Sequence, residues 1–156
     1  MPDLTLPPLA SSLLKYTHMD FTPQPDTAVR PSSDFSFKAV LLVDDDKQLA
    51  AALQWILADQ SFMVDVANDG AEALLKVRAN EYDAVICDVM MPELRGDEFF
   101  LQATDSKPHL AERFIFITGY AADPKVNVFL CTTGCKYLLK PFPVQRLIDC
   151  LKEMLA

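Results

Sequence analysis

The chain has 156 residues, of which 51% are hydrophobic, and a formal net charge of −8 at pH 7. That length suits one domain able to bury a substantial core, and the acidic balance excludes a protein that tracks phosphates through basic clusters. No apolar run reaches bilayer-spanning length and the N-terminus lacks the pattern of a signal peptide, so the chain reads as cytoplasmic, with no membrane and no direct nucleic acid among its partners.

Residues 1–37 hold six of the eleven prolines, no glycine and no sustained helical or alternating period. They read as a proline-rich extension or linker, extended over 22–37. The more apolar stretch 4–14 reads as a short strand or a loosely docked arm. His18 has no acid or nucleophile beside it and reads as a surface residue.

From Lys38 onward, strand-like and helix-like stretches alternate. The apolar run Lys38–Val43 reads as a buried strand that ends in Asp44, Asp45 and Asp46. Adjacent carboxylates there either cap the next helix or hold a divalent cation that relieves their repulsion. Oxygen ligands suit Mg²⁺, or Mn²⁺ in its place. A helix over 46–60 then places Leu49, Leu53, Ile56 and Leu57 on one face. Residues 63–67 form a short strand, Asn68, Asp69 and Gly70 a turn, and a second helix aligns Ala71, Leu74 and Val77. A third strand over 83–87 ends in Asp88, and the loop 89–96 leads into a helix carrying Phe99 and Phe100. A fourth strand over 113–117 ends in Thr118 and Gly119. Asp123 and Pro124 cap and open a helix that stops near Gly134. The last strand, 137–139, ends in Lys140 and Pro141, and Pro143 opens a helix whose face is Leu147, Ile148, Leu151 and Leu155. Cys87, Cys131, Cys135 and Cys150 fall inside these core elements without disulfide or metal-site spacing, so they read as reduced thiols.

Five strand–helix pairs with solid apolar strands make an α/β fold, a doubly wound parallel five-stranded sheet covered on both faces. Ligands of such sheets bind beyond the C-terminal ends of the strands. There Asp44, Asp45, Asp88, Thr118 and Lys140 converge from four strands, which favours the metal site over the simple cap.

With those residues placed, the stretch 38–156 resembles the receiver domain of two-component response regulators, a flavodoxin-like (βα)5 fold. The resemblance rests on Val43-Asp44-Asp45, Cys87-Asp88-Val89-Met90-Met91-Pro92, Ile117-Thr118-Gly119 and Tyr137-Leu138-Leu139-Lys140-Pro141-Phe142. It implies the strand order 2-1-3-4-5 and a phosphoacceptor rather than an enzyme acting on other molecules. Asp88 would take a phosphoryl group from a histidine kinase or histidine phosphotransfer protein. Mg²⁺ would be held by Asp45, Asp88 and the Met90 backbone carbonyl, with Asp44 acting through water. Lys140 would pair with Asp88 or a phosphoryl oxygen, Thr118 would hydrogen-bond the phosphoryl group, and Lys140-Pro141 would be cis. Thr118 and Tyr137 would form a switch read on helix four, strand five and helix five by a downstream protein. Met90 and Tyr120 would overhang the phosphoryl group, with Gly119 leaving it room.

Arg95 departs from the family pattern, standing where an acidic residue is common. Gly119-Tyr120 and the run from Phe129 to Gly134 look most like receivers attached to hybrid histidine kinases, and Leu4-Thr5-Leu6-Pro7-Pro8-Leu9 resembles the last strand of a kinase ATP-binding domain. The expectation is therefore the tail of a hybrid kinase or a stand-alone regulator. With no DNA-binding stretch after Ala156, its output would run through protein contacts or phosphorelay. An aspartate-nucleophile phosphatase would need a proton donor where Met90 stands, and a flavodoxin-type cofactor phosphate would be repelled by Asp44, Asp45 and Asp46. The remaining alternative is a receiver-like interaction scaffold that never takes phosphate.

Overall fold

The computed structural model describes residues 37–120 and 122–156. The expected linker, the arm over 4–14 and His18 lie outside the described residues, apart from Phe37, which is exposed. Among the described residues five strands alternate with five helices: β1 (Lys38–Val43), α1 (Lys47–Asp59), β2 (Phe62–Ala67), α2 (Gly70–Ala79), β3 (Ala84–Asp88), α3 (Gly96–Ser106), β4 (Phe114–Thr118), α4 (Pro124–Thr133), β5 (Lys136–Leu139) and α5 (Val144–Met154). A 3₁₀ turn, Pro108–Glu112, precedes β4. The sequence does not announce this turn, because five residues with a single buried leucine give no readable period.

All strand pairs are parallel and the order is β2-β1-β3-β4-β5. Successive side chains of a strand point to opposite faces, and the three central strands use both. Leu41, Val43, Val85, Cys87, Phe114 and Phe116 join the core under α2, α3 and α4. Val40, Leu42, Ala84, Ile86, Ile115 and Ile117 join the core under α1 and α5. That two-sided burial is why these strands read as unbroken apolar runs. On the first face Phe99, Phe100, Phe114, Phe116 and Phe129 interlock with ring centroids 4.9–5.8 Å apart.

The edges and helix faces correct several expectations. β2 carries Asp65, and β5 exposes Tyr137 and Leu139, so the outer strands are not solid apolar runs. α1 buries Ala50, Leu53 and Leu57 and leaves Ile56 at the solvent edge. α2 buries Ala73, Leu74 and Val77, with Ala71 outside. A sheet covers only part of a helix's circumference, so residues at the margin of an apolar stripe stay wet. Cys131 is exposed on α4, while Cys87 is buried and Cys135 and Cys150 are half-buried, so the four thiols are not all core groups. No helix among the described residues is long and apolar enough to cross a membrane.

Candidate functional site

The site forms where four strand ends meet, each delivering one kind of group. β1 runs out into Asp44, a carboxylate only 1% exposed, followed by the exposed Asp45 and Asp46. Asp46 accepts the Gln48 and Leu49 amides at 3.1 Å each and caps α1. The cap and the crevice are therefore filled by different residues of one acidic run: Asp44 turns inward, where its Oδ1 accepts the Asp46 amide at 2.9 Å. β3 ends in Asp88, buried, with Oδ1 accepting the Met90 amide at 3.0 Å and Oδ2 accepting Lys140 Nζ at 2.8 Å. Lys140 follows β5, its amide donating to Thr118 O at 2.9 Å, and its ammonium also reaches Asp44 Oδ2 at 3.3 Å. The Lys140-Pro141 bond is cis. Thr118 closes β4, fully buried, its Oγ1 accepting the Tyr120 amide at 3.0 Å.

Carboxylate oxygens of Asp44, Asp45 and Asp88 lie within 4.8 Å of one another. Burial raises the Asp44 carboxyl above its usual range, opposed by the Asp46 amide and the Lys140 charge. Burial alone would lower the Lys140 ammonium, but the hydrogen bond and charge of Asp88, with the charge of Asp44, leave it raised. One cation thus serves two buried anions, and the three carboxylates carry more negative charge than it offsets. Such a hard-oxygen set fits Mg²⁺ or Mn²⁺, which take one or two protein carboxylates and complete their shells with water. Cys87, beside this cluster, is pushed well up by burial and by the charges of Asp88 and Asp44, and its Sγ donates to Asp88 O at 3.1 Å, so it is an inert thiol.

The more peripheral residues are placed as follows. Met90 is half-buried and packs its side chain on the core below α2–α4. Tyr120 is 57% exposed, and Gly119 is open, with Lys140 Cβ at 3.9 Å the nearest atom to a Cβ built on it. Tyr137 pairs in register with Phe116 and Leu139 with Thr118, so Tyr137 and Thr118 share a sheet face two residues apart. The Tyr137 ring points outward there, 49% exposed. Arg95 lies at the α3 N-terminus, its Nε donating to Asp97 Oδ1 at 3.1 Å.

One residue with a direct bearing on Asp88 stands out in the sequence only as a loop glycine. A Cβ on Gly96 would collide with the Asp88 carbonyl oxygen and stand 2.8 Å from Val89 Cα, both backbone atoms. The only signal was a glycine opening a helix just after a strand-end aspartate, the pattern of a close backbone approach.

A doubly wound α/β domain with an acidic crevice at its strand ends is the class that this fold and site define. The family model of the response regulator receiver domain matches residues 40–152. The receiver protein CpdR of Brucella abortus (strain 2308) is 30% identical over 118 residues, 76% of this chain and 97% of that protein. The sensor kinase CckA of the same organism is 32% identical over 130 residues, 81% of this chain but 14% of the kinase. The chain spans about half or less of several curated relatives. The structure of the response regulator TrrA from Thermotoga maritima in complex with Mg²⁺-BeF superposes with a TM-score of 0.68 at 28% identity, covering 76% of this chain and 100% of that one. The chain belongs to the response regulator receiver family of two-component systems.

Proposed function

We propose that Asp88 is a phosphoacceptor that takes a phosphoryl group from a phosphohistidine on a histidine kinase or phosphotransfer protein. The observation that carries the reading is the meeting of Asp88, Lys140 and Asp44 in one buried, hydrogen-bonded cluster with Thr118 beside it. A carboxylate oxygen of Asp88 forms the new O–P bond as the P–N bond to the donor imidazole breaks, and the imidazole leaves with the bonding pair and takes up a proton. Lys140 holds its charge against the reacting carboxylate and then against a phosphoryl oxygen. Thr118 has a hydroxyl proton free to donate, since its oxygen is the acceptor in the bond from Tyr120. Mg²⁺ at Asp45, Asp88 and the Met90 carbonyl, with Asp44 behind, would supply positive charge for the phosphoryl oxygens.

Phosphorylation would bias Thr118 and Tyr137 on their shared face and so alter the surface of α4, β5 and α5 for a downstream protein. In this reading the receiver spans 38–156 with 1–37 as its extension, works in the cytoplasm, and is a stand-alone regulator or the receiver of a hybrid kinase. The similarity to CckA supports the second choice.

Acetyl phosphate with Mg²⁺ tests the assignment. Acid-labile label should appear on the parent and vanish in Asp88→Asn. Undiminished label on the variant would sink it, and an unlabelled parent would favour the scaffold reading.

A further inference from the structure

Beside the carboxylate cluster, Gly70 and Leu94 meet in a contact without slack. Asp69 caps α2 by accepting the Glu72 amide at 2.7 Å, and the Asn68 amide donates to Glu72 Oε2 at 3.0 Å, so the backbone at Gly70 is held from both sides. A Cβ built on Gly70 would stand 2.6 Å from the Leu94 carbonyl oxygen, 2.9 Å from Leu94 Cβ and 3.0 Å from Leu94 Cγ. Leu94 therefore rests on a bare Cα. Two residues later Gly96 lies with its own bare Cα against the Asp88 carbonyl, and its amide donates to Val89 O at 2.9 Å. The loop 89–96 is thus closed at its base beside Asp88 and leans on α2 at its far side. The Met90 amide that holds Asp88 Oδ1 belongs to this loop.

We propose that Gly70 is a positioning residue for phosphoryl acceptance, a steric seat for Leu94 that sets where the 89–96 loop lies against Asp88. The proposal rests on the phosphoacceptor reading of Asp88. Gly70 has no left-handed φ, so its backbone would accept alanine, and alanine favours a helix over glycine. Substitution there therefore sets a helix that gains against a loop that must withdraw by the better part of an ångström. Close-packed interiors pass such a shift on rather than absorb it. A shift of about 1 Å in a reacting group can cost up to ~100-fold in rate. A purely structural glycine would instead show its loss in the melting midpoint.

The experiment compares the parent with Gly70→Ala, Leu94→Ala and, as a control on the exposed side of the same helix, Leu75→Ala. Three quantities are read well below each melting midpoint: the acetyl phosphate labelling rate, the Mg²⁺ affinity of the unphosphorylated protein by calorimetry, and the Met90 amide resonance. Gly70→Ala should label at least ~10-fold more slowly, bind Mg²⁺ more weakly and shift the Met90 amide. Leu94→Ala should move the same three quantities in the same direction by less, and Leu75→Ala should match the parent. Parent-like rate, Mg²⁺ affinity and Met90 resonance in Gly70→Ala would overturn the proposal. If that variant does not fold, the same three parent-like values in Leu94→Ala overturn it. An unlabelled parent would strike the phosphoacceptor reading instead, and the Met90 resonance would still decide whether Gly70 seats the loop.

Discussion

The ammonium of Lys140 lies 2.8 Å from Oδ2 of Asp88, so a residue at the end of β5 holds one at the end of β3 across the intervening β4. Thr118 stands at the end of that middle strand, its carbonyl accepting the Lys140 amide at 2.9 Å. The same ammonium reaches Asp44 just after β1, so among the described residues it ties together both sides of the crevice.

Replacing this cation leaves two buried carboxylates facing each other. Lys140→Met should lower the metal-free unfolding free energy by about 2 kcal/mol. That is less than the ~3–5 kcal/mol for breaking a fully buried pair, since water can still enter on the Lys140 side. The double variant with Asp44→Asn should recover part of the loss, because it removes one of the two anions. Urea melts in chelator decide it, and a Lys140→Met midpoint equal to the parent's would show that the cluster is solvated rather than paired.

The parallel sheet and the residues at its strand ends are legible in the sequence because each follows from a strong local signal, whereas the strand order comes only from the family resemblance. Central strands with two buried faces have no polar position to blur them, and a charge directly after such a strand can only lie at its mouth. The outer strands were legible only in part: Asp65 interrupts β2, and Tyr137 looks like a core aromatic until the sparse cover given by α4, with Val126 and Leu130 alone buried, is seen. What the sequence does not show are contacts fixed by tertiary approach. Leu94 on Gly70 joins segments 24 positions apart, and nothing local to either residue announces the other.

Asp65 gives a pH signature away from the crevice. Its carboxylate accepts Lys76 Nζ at 2.7 Å and Tyr82 OH at 2.6 Å. Burial works against its charge, but these two hydrogen bonds and the Lys76 charge outweigh it and hold the carboxyl below its ordinary value of 3.8. A carboxyl lowered in the folded state stabilises above that ordinary value and loses its contribution as pH falls through the lower, folded one. Asp65→Asn should therefore be less stable than the parent near neutrality, by ~0.5–1 kcal/mol for so exposed a group, with the gap closing as pH drops below about 4. Thermal midpoints of both proteins between pH 3 and 7 test this. A gap that is constant with pH would assign the loss to packing instead.

Ser61 adopts φ 69° just after the last turn of α1, where its amide donates to Ala58 O at 3.0 Å. A side chain in that left-handed turn is strained and glycine is not. Ser61→Gly should raise the unfolding free energy by ~0.5–1 kcal/mol, read as a higher urea midpoint at unchanged slope. A lower midpoint would mean that the Ser61 hydroxyl contributes more than the backbone strain costs.

If Asp88 is the phosphoacceptor proposed above, the lifetime of its phosphorylated form should depend on the groups that frame its approach. Met90 follows Asp88 by two positions and Tyr120 follows Thr118 by two, while Gly119 keeps the space beside Lys140 open. Hydrolysis of a phosphoaspartate needs a water in line with phosphorus, opposite the aspartyl oxygen, and a loose transition state makes placement of that water the main lever. The Met90 thioether packs on the core and offers no proton to orient such a water. The half-exposed Tyr120 ring, anchored through its amide to Thr118, stands at the rim. Capture should then be unhindered and loss slow, with a phosphoaspartate that persists for minutes or longer. Met90→Asn introduces an amide able to hold the water, and one such hydrogen bond, about 1.4 kcal/mol of barrier, should speed loss ~10-fold. A phosphate-release time course on both proteins in excess Mg²⁺ measures this directly. Release from the parent within seconds, or an asparagine variant no faster than the parent, would show that water access is not what limits the reaction.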